Sequence, residues 1–250
     1  MKQLKFVKSY SEKFAKPLLK AIKKYKMISE GQNIAVGLSG GKDSITLLYL
    51  LAWLQKYSHL DFNLSAIHIN TYGNSQNQLL QQFCDDLNIK LFTQELKNPT
   101  DIPRKSICSI CARLKRGAMH EICDREKITA IAFGHHATDI AETLFMNMLI
   151  NKKLGSFSPI VEIPNSELKI IRPMIYLTES KIIALHKEFE LPIPENKCPF
   201  EQKNQRPKYK ELLQNISESL SIKDAELNIV SSLENIDESN LYSNVMGEML

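Results

Sequence analysis

Two kinds of apolar spacing alternate along the first 150 residues. Short apolar or alternating segments at 33–38, 63–70, 90–95 and 128–133 predict strands. Longer segments at 42–57 and 78–87, and others beginning after residues 108 and 138, predict helices. Strand, helix and strand form a βαβ unit, whose right-handed crossover implies a parallel sheet that binds ligands at its carboxyl edge. We therefore expect an α/β fold, a doubly wound parallel sheet with helices on both faces.

The flanking segments add smaller elements to this sheet. Residues 9–28 predict a helix that kinks or restarts at Pro17, because proline lacks the N–H of a helix interior. Residues 159–163 and 168–171 predict a short hairpin, and helices are expected from Thr178 to Phe189 and over 208–220. The segment 221–250 is expected to be partly helical and peripheral.

The turn after the first predicted strand reads SGGKDS, residues 39–44. Glycines let a backbone approach a phosphate closely, the N–H groups of the first helical turn point at it, and Lys42 adds a positive charge. The hydroxyls of Ser39 and Ser44 are further donors. A Walker A loop would need glycine where Val36 stands and Ser or Thr where Asp43 stands. The sequence therefore predicts a phosphate loop of another type.

Length and charge define three segments. A chain of 250 residues, 43% of them hydrophobic, suits one large α/β domain with modest appendages. We divide it into a basic helical arm at 1–30, a nucleotide-binding domain with a cysteine site at 31–215, and an acidic tail at 216–250. The arm either contacts phosphates or is the solvated face of an amphipathic helix whose apolar residues are Phe14, Leu18, Leu19 and Ile22. Neither a signal peptide nor a membrane-spanning run is evident, so we expect a cytoplasmic protein without a membrane partner.

Five cysteines in such a chain favour metal or redox chemistry over a disulfide scaffold. Cys108 and Cys111 form a CxxC that leads into a helix, which is compatible with a dithiol, a zinc knuckle, iron–sulfur ligation or chance. Cys198 lies in a proline-rich segment and is a possible third ligand, whereas Cys84 and Cys123 have apolar neighbours typical of packing. Three cysteines leave a closed zinc site incomplete, but they suit a cluster with one iron free of protein thiolate.

The SGGKDS turn resembles the PP-loop of the N-type ATP pyrophosphatases, which split ATP between its α and β phosphates and adenylate a carbonyl oxygen. Three further features lie in the same order: the segment 108–117 (CSICARLKRG), the segment 134–139 (GHHATD), and a late cysteine followed by Gln205 and Arg206. Together they make residues 16–213 similar to the TtcA-type tRNA 2-thiocytidine synthetases. The resemblance implies the adenine-nucleotide alpha-hydrolase fold, also called the N-type ATP pyrophosphatase fold.

The same resemblance assigns roles to residues. It implies a [4Fe–4S] cluster on Cys108, Cys111 and Cys198, and catalytic roles for Asp43, Lys115 and Asp139, with Asp43 organising Mg²⁺. Glu195 stands where many members have another cysteine, and Thr138 replaces the first of two adjacent acids. Asp139 could instead only cap its helix. The implied ATP-binding residues are Ser39, Gly40, Gly41, Lys42, Asp43, Ser44, His68, Asn70, Gly134 and His135, with His68 and Asn70 expected at the adenine unless His68 is structural.

The implied reaction is ATP- and cluster-dependent thiolation of C2 of the cytidine at position 32 of a tRNA anticodon loop. An adenylated base would be attacked by cluster-bound sulfide that a cysteine desulfurase supplies, and a homodimer is expected. The tRNA phosphates would be contacted by basic residues of the arm and by Arg113, Lys115, Arg116, Lys152, Lys153 and Arg206. The open alternatives are thiolation of a uridine, sulfur transfer to a small molecule or protein, and a non-catalytic iron–sulfur or nucleotide-binding module.

Overall fold

The computed structural model describes residues 10–70, 76–96, 107–192 and 206–241. Its six-stranded sheet has the order β3-β2-β1-β4-β6-β5, in which β5 runs antiparallel to β6 and every other neighbouring pair is parallel. The strands are β1 Gln32–Gly37, β2 Phe62–Asn70, β3 Lys90–Glu95, β4 Ala130–Ala132, β5 Ile160–Glu162 and β6 Lys169–Ile171. The predicted parallel sheet and the predicted hairpin, here β5 and β6, are both confirmed.

The helices begin and end close to the predicted positions. They are α1 Lys16–Lys24, α2 Lys42–Tyr57, α3 Gln76–Asp86, α4 Ile107–Glu126, α5 Ala137–Leu149, α6 Glu179–Phe189, α7 Arg206–Ser219 and α8 Ala225–Glu234. A π-helical turn, Ser11–Ala15, precedes α1, and a 3₁₀ turn, Glu238–Asn240, follows α8. Within the described ranges, none of the helices is both long and apolar enough to span a bilayer.

Helices cover both faces of the sheet, as predicted. Ile34 and Val36 of β1 point into the main core, which contains α2, whereas Ala35 between them packs in a second core with Ile122 and Cys123 of α4. The chain proceeds outward from β1 through β2 to β3, and α4 then carries it back to β4 on the other side of β1. The order therefore reverses between β1 and β4, and ligands of such sheets bind at that reversal, beyond the carboxyl ends of the strands.

The N-terminal helix is part of the main core. Phe14, Leu18 and Ile22 are buried there, and Pro17 lies in the first turn of α1, directly after the π-helical turn. The predicted kink or restart corresponds to a change from π-helical to α-helical hydrogen bonding just before Pro17, within a helical run that is continuous from Tyr10 to Lys24. The polar face of α1 carries its lysines, and Lys24 forms an ion pair with Glu234 of α8.

Helix α8 corrects the expectation that everything after residue 220 is peripheral. Val230 is buried in the main core, and the carboxylate of Glu234 accepts hydrogen bonds from the hydroxyls of Tyr25 and Tyr176. Burial and the Glu234 carboxylate together raise the pKa of Tyr25 to about 12. The acidic residues of this segment therefore contribute to tertiary structure as well as to surface charge.

Candidate active site at the carboxyl edge of the sheet

The turn between β1 and α2 has the backbone geometry that the predicted anion site requires. Gly40 has φ of +85°, a left-handed conformation that favours glycine, and Gly41 caps α2 without offering a side-chain acceptor to the first helical turn. The hydroxyls of Ser39 and Ser44 lie 3.1 Å apart, the Ser39 oxygen accepts from Gly41 N at 3.2 Å, and Ser44 donates to Gly41 O at 2.9 Å. These bonds fix the turn and leave the helix N-terminus open to an anion.

Lys42 lies within a network of charges. Its Nζ is 3.2 Å from Asp43 Oδ1 and 3.1 Å from Glu179 Oε1 of α6, and Glu179 also pairs with Lys210 of α7. Burial alone would lower the pKa of Lys42, but the charges of Asp43 and Glu179 outweigh it and raise the pKa. The Lys42 ammonium group is thus paired with two carboxylates. A bound phosphate would compete with them for this positive charge.

Asp43 offers an oxygen that suits a cation. Its Oδ1 is fully enclosed and accepts no hydrogen bond, although Lys42 Nζ is 3.2 Å and His136 Nε2 is 3.6 Å away. A buried carboxylate oxygen without a hydrogen bond is costly, and hard divalent cations are bound by such oxygens. Asp43 therefore supplies one oxygen of the kind that Mg²⁺ prefers, but the described residues contain no cluster of three or more potential metal ligands, and Mg²⁺ binding stays a prediction.

Gly134 allows two loops of the site to touch. A Cβ added at Gly134 would lie 2.8 Å from both the carbonyl carbon and the carbonyl oxygen of Asp43. No side chain fits at that separation, so the turn after β4 packs directly on the first turn of α2. Gly134, which the sequence predicts as an ATP-binding residue, is thus placed against the PP-loop backbone.

Asp139 uses both carboxylate oxygens for contacts within the protein. Oδ2 accepts a hydrogen bond from His136 N at 3.1 Å, and Oδ1 accepts one from Arg206 Nη1 at 3.0 Å. His136 Nε2 also lies 3.4 Å from Oδ2. Asp139 thus stabilises the start of α5, as the capping alternative predicts, and it also binds the first residue of α7.

One turn further along α5, Glu142 is a buried carboxyl group that the motif analysis did not select. Burial, followed by the charges of Asp139 and Glu179, raises the pKa of Glu142 to about 7 in spite of Arg206 and Lys210 nearby. The available signal was its position three residues after Asp139, which places both groups on one helix face. At neutral pH this carboxyl group can hold or release a proton.

His135 follows Gly134 in the turn between β4 and α5. Its ring stacks on Phe157 with centroids 4.3 Å apart, and its Nδ1 accepts a hydrogen bond from Arg172 Nε at 3.2 Å. Burial and then the charge of Arg172 lower the pKa of His135 to about 4. The imidazole is therefore neutral at physiological pH, with its proton on Nε2.

His68 and Asn70 lie at the carboxyl end of β2, as predicted, and both are buried. His68 Nδ1 donates to Leu38 O at 2.7 Å, which joins β2 to the start of the PP-loop. Burial lowers the pKa of His68, and the charge of Lys115 lowers it further although the bond to Leu38 opposes the shift. His68 therefore has a structural role, in that it ties β2 to the start of the PP-loop. Its contact with adenine stays a prediction.

Helix α4 brings the CxxC segment to this edge. A crossover helix runs antiparallel to its strands, so α4 begins at the carboxyl edge, where Cys108 lies in its first turn. Cys111 and Lys115 are one turn apart on one helix face, and the effect of Lys115 on His68 places its charge near the end of β2. The Cys108 side chain and all of Cys198 lie outside the described residues.

The three cysteines whose side chains the structure describes differ in exposure. Cys84 and Cys123 are fully buried, and burial raises the pKa of each thiol to about 12, as expected for packing residues. Cys111 is partly exposed at the carboxyl edge and forms no disulfide. Of these three, only Cys111 is therefore placed to act as a thiolate ligand.

His186 is a second residue that the sequence gave no reason to choose. From α6 its Nε2 donates to the carbonyl oxygen of Lys42 at 2.8 Å, and its side chain is buried. The two residues are 144 positions apart, and no local motif marks such a contact. The carbonyl end of the PP-loop lysine is thus fixed from another helix.

Comparison with known proteins supports the resemblance that the sequence motifs indicate. Residues 10–214 match the family model of the PP-loop domain. Among curated proteins, the chain is 34% identical over 209 residues to the tRNA-cytidine(32) 2-sulfurtransferase of Pelobacter propionicus, covering 80% of this chain and 78% of the relative. It is 37% identical over 201 residues to the protein of that name from Idiomarina loihiensis, covering 78% and 67% respectively.

Solved structures share the fold at lower identity. The U34-tRNA thiolase NcsA from Methanococcus maripaludis, solved with its [4Fe–4S] cluster, has a TM-score of 0.71 at 22% identity and covers 89% of this chain and 78% of its own. The NH₃-dependent NAD synthetase from Campylobacter jejuni has a TM-score of 0.52 at 17% identity, with coverages of 96% and 98%. At these identities the likeness is one of fold.

Proposed function

We propose a specific reaction for this chain, which belongs to the PP-loop domain family and, within it, to the tRNA 2-sulfurtransferases. The reaction is ATP-dependent thiolation of C2 of the cytidine at position 32 of a tRNA anticodon loop, the base that the names of its relatives specify. A base in a loop is accessible without opening of a helix. Thiolation of a uridine is the alternative within the same superfamily.

The observation that carries the proposal is the meeting of two sites at one edge of the sheet. The PP-loop presents its open helix N-terminus there, and α4 begins at the same edge with Cys111 and Lys115 on one face. Gly134 brings the turn after β4 into backbone contact with the PP-loop. A nucleotide site beside a cysteine site is the arrangement that activation followed by sulfur transfer requires.

The PP-loop residues supply the activation half of the reaction. The carbonyl at C2 of cytosine is a poor electrophile, and adenylation of its oxygen makes AMP the leaving group. The N–H groups of the first turn of α2 and the Lys42 ammonium group would stabilise charge on the departing pyrophosphate, while the hydroxyls of Ser39 and Ser44 fix the turn through their bonds within it. The Asp43 carboxylate would contribute one ligand to Mg²⁺, which would neutralise charge on the phosphate oxygens.

The cysteines supply the second half. We assign Cys108, Cys111 and Cys198 to a [4Fe–4S] cluster, which when bound would hold sulfide for attack on C2. The partial exposure of Cys111 at the carboxyl edge, in contrast to buried Cys84 and Cys123, supports this assignment. Lys115 would then neutralise negative charge near the thiolates.

Asp139 and Arg206 connect the PP-loop side of the site to α7. Because both oxygens of Asp139 are used by His136 N and Arg206, we propose that Asp139 acts by fixing this contact. The basic residues predicted to contact tRNA include exposed Lys152 and Lys153 in the loop after α5. We further propose a cytoplasmic homodimer with a cysteine desulfurase as its source of sulfur.

The proposal is tested with anaerobically purified protein whose cluster has been reconstituted, incubated with ATP, Mg²⁺, sulfide and an unmodified tRNA transcript. Pyrophosphate and 2-thiocytidine are measured together. We expect both to appear only with tRNA, and thiolation to be lost in Cys108→Ala, Cys111→Ala and Cys198→Ala while Cys84→Ala retains it. Full activity in Cys198→Ala would exclude the cluster assignment, and the absence of tRNA-dependent pyrophosphate would favour a non-catalytic module.

A further inference from the structure

Arg172 is a buried cation at the edge of the proposed active site. It directly follows β6 and is only 8% exposed. Its Nε donates to His135 Nδ1 at 3.2 Å, its Nη1 donates to Ser158 O, and its guanidinium lies over the ring of Phe157 at 5.3 Å from the centroid. Within the described part of the chain, no carboxylate pairs with it.

Such an arrangement is unusual for a structural arginine. A buried guanidinium is normally balanced by a carboxylate, because removing a charge from water without a counter-ion is costly. Arg172 is instead bound by a neutral imidazole, a carbonyl and an aromatic ring. Its Nη2 has no hydrogen-bond partner among the described residues and is not enclosed.

His135 fixes the orientation of this cation. It accepts from Nε, which requires a neutral ring with its proton on Nε2, and it directly follows Gly134, which contacts the PP-loop backbone. Arg172 and the PP-loop therefore belong to the same edge, separated by the turn after β4. The anion that would balance Arg172 is expected from the ligands of that edge.

We propose that Arg172 binds a phosphate group through the free edge of its guanidinium, with His135 as the residue that positions it. The inference rests on the proposed function, because the two phosphate sources at this edge are the bound nucleotide and the tRNA backbone. A planar guanidinium suits phosphate oxygens because two of its N–H groups can donate in parallel. In this arrangement His135 contributes to binding through Arg172 and not by direct contact.

Direct binding measurements test the proposal without requiring turnover. The affinities of an ATP analogue with a non-hydrolysable α,β bridge and of an unmodified tRNA transcript are measured for wild type, Arg172→Gln, Arg172→Lys and His135→Gln. Arg172→Gln retains an amide donor for Ser158 O, and Arg172→Lys retains the charge without the planar fork. Arg125→Gln, an exposed arginine in the last turn of α4, is the matched control.

We expect Arg172→Gln to weaken one of the two affinities by about tenfold, Arg172→Lys and His135→Gln to be intermediate, and Arg125→Gln to be unchanged. A loss confined to the ATP analogue identifies a nucleotide phosphate. A loss confined to tRNA, with a salt dependence shallower by about one phosphate contact, identifies the RNA backbone.

Wild-type affinities for both ligands in folded Arg172→Gln and Arg172→Lys would overturn the proposal, whatever the change in thermal stability. Failure of the wild type to bind tRNA would instead contradict the proposed function, and the nucleotide measurement would still decide the role of Arg172.

Discussion

The buried carboxyl group of Glu142 predicts a specific pH dependence of stability. In the unfolded chain Glu142 releases its proton near its ordinary pKa of 4.5, whereas in the folded protein it retains the proton until about pH 7. Over this window the folded state binds more protons than the unfolded state, so stability decreases as pH rises. Glu142→Gln removes the titrating group and should remove this part of the dependence.

The magnitude follows from the two pKa values. Proton linkage with pKa values of 4.5 and about 7 gives a loss of about 2.5 kcal/mol between pH 5 and pH 8. The free energy of unfolding of Glu142→Gln minus that of wild type should therefore increase, in the direction of greater stability, by up to that amount between pH 5 and pH 8. Other titrating groups affect both proteins, and the difference isolates Glu142.

Urea unfolding followed by tryptophan fluorescence provides the assay, because the single tryptophan, Trp53, is buried in the main core. Measurements at pH 5, 6, 7 and 8 and constant ionic strength are compared for wild type, Glu142→Gln and Glu211→Gln. Glu211 is an exposed residue of α7 and should leave the wild-type profile unchanged. Parallel profiles for wild type and Glu142→Gln would refute the reasoning about its environment.

Two further predictions concern the loops and the thiols. Gly134→Ala should lower tRNA-dependent pyrophosphate release at least about tenfold, because its Cβ would displace the backbone of Asp43. Gly117→Ala is the control, since its Cβ would lie in open space on α4, and it should be neutral or stabilise the protein by about 0.5 kcal/mol. Equal activities of the two variants would contradict this account of Gly134. Cys111→Ala should lose bound iron, whereas Cys123→Ala should retain iron but unfold at a lower urea concentration. The iron content per chain of the two variants tests this difference.

Local signals were sufficient to predict most of the fold. The strand periods, the glycine turn and the helical period each depend on residues within one element, so the sheet and most helix boundaries followed from the sequence. The position of α8 did not, since burial of Val230 and the contacts of Glu234 depend on elements that are distant in the chain. The sequence pattern alone indicated only an acidic and partly helical segment.

The candidate site shows the same division. The PP-loop donors, Gly134 and the CxxC helix were predictable, because each lies in a short motif at the end of a predicted strand or the start of a helix. Glu179 and His186 act on the PP-loop through contacts between separate helices. Tertiary packing creates those contacts, and a single sequence carries no local record of them.

Mass spectrometry of tRNA nucleosides from cells with and without the gene tests the central claim most directly, because it examines substrate and reaction together. The account predicts that 2-thiocytidine disappears when the gene is deleted and returns with the wild-type gene but not with Cys111→Ala. Unchanged 2-thiocytidine in the deletion strain would contradict the account and would mean that the PP-loop activates another substrate.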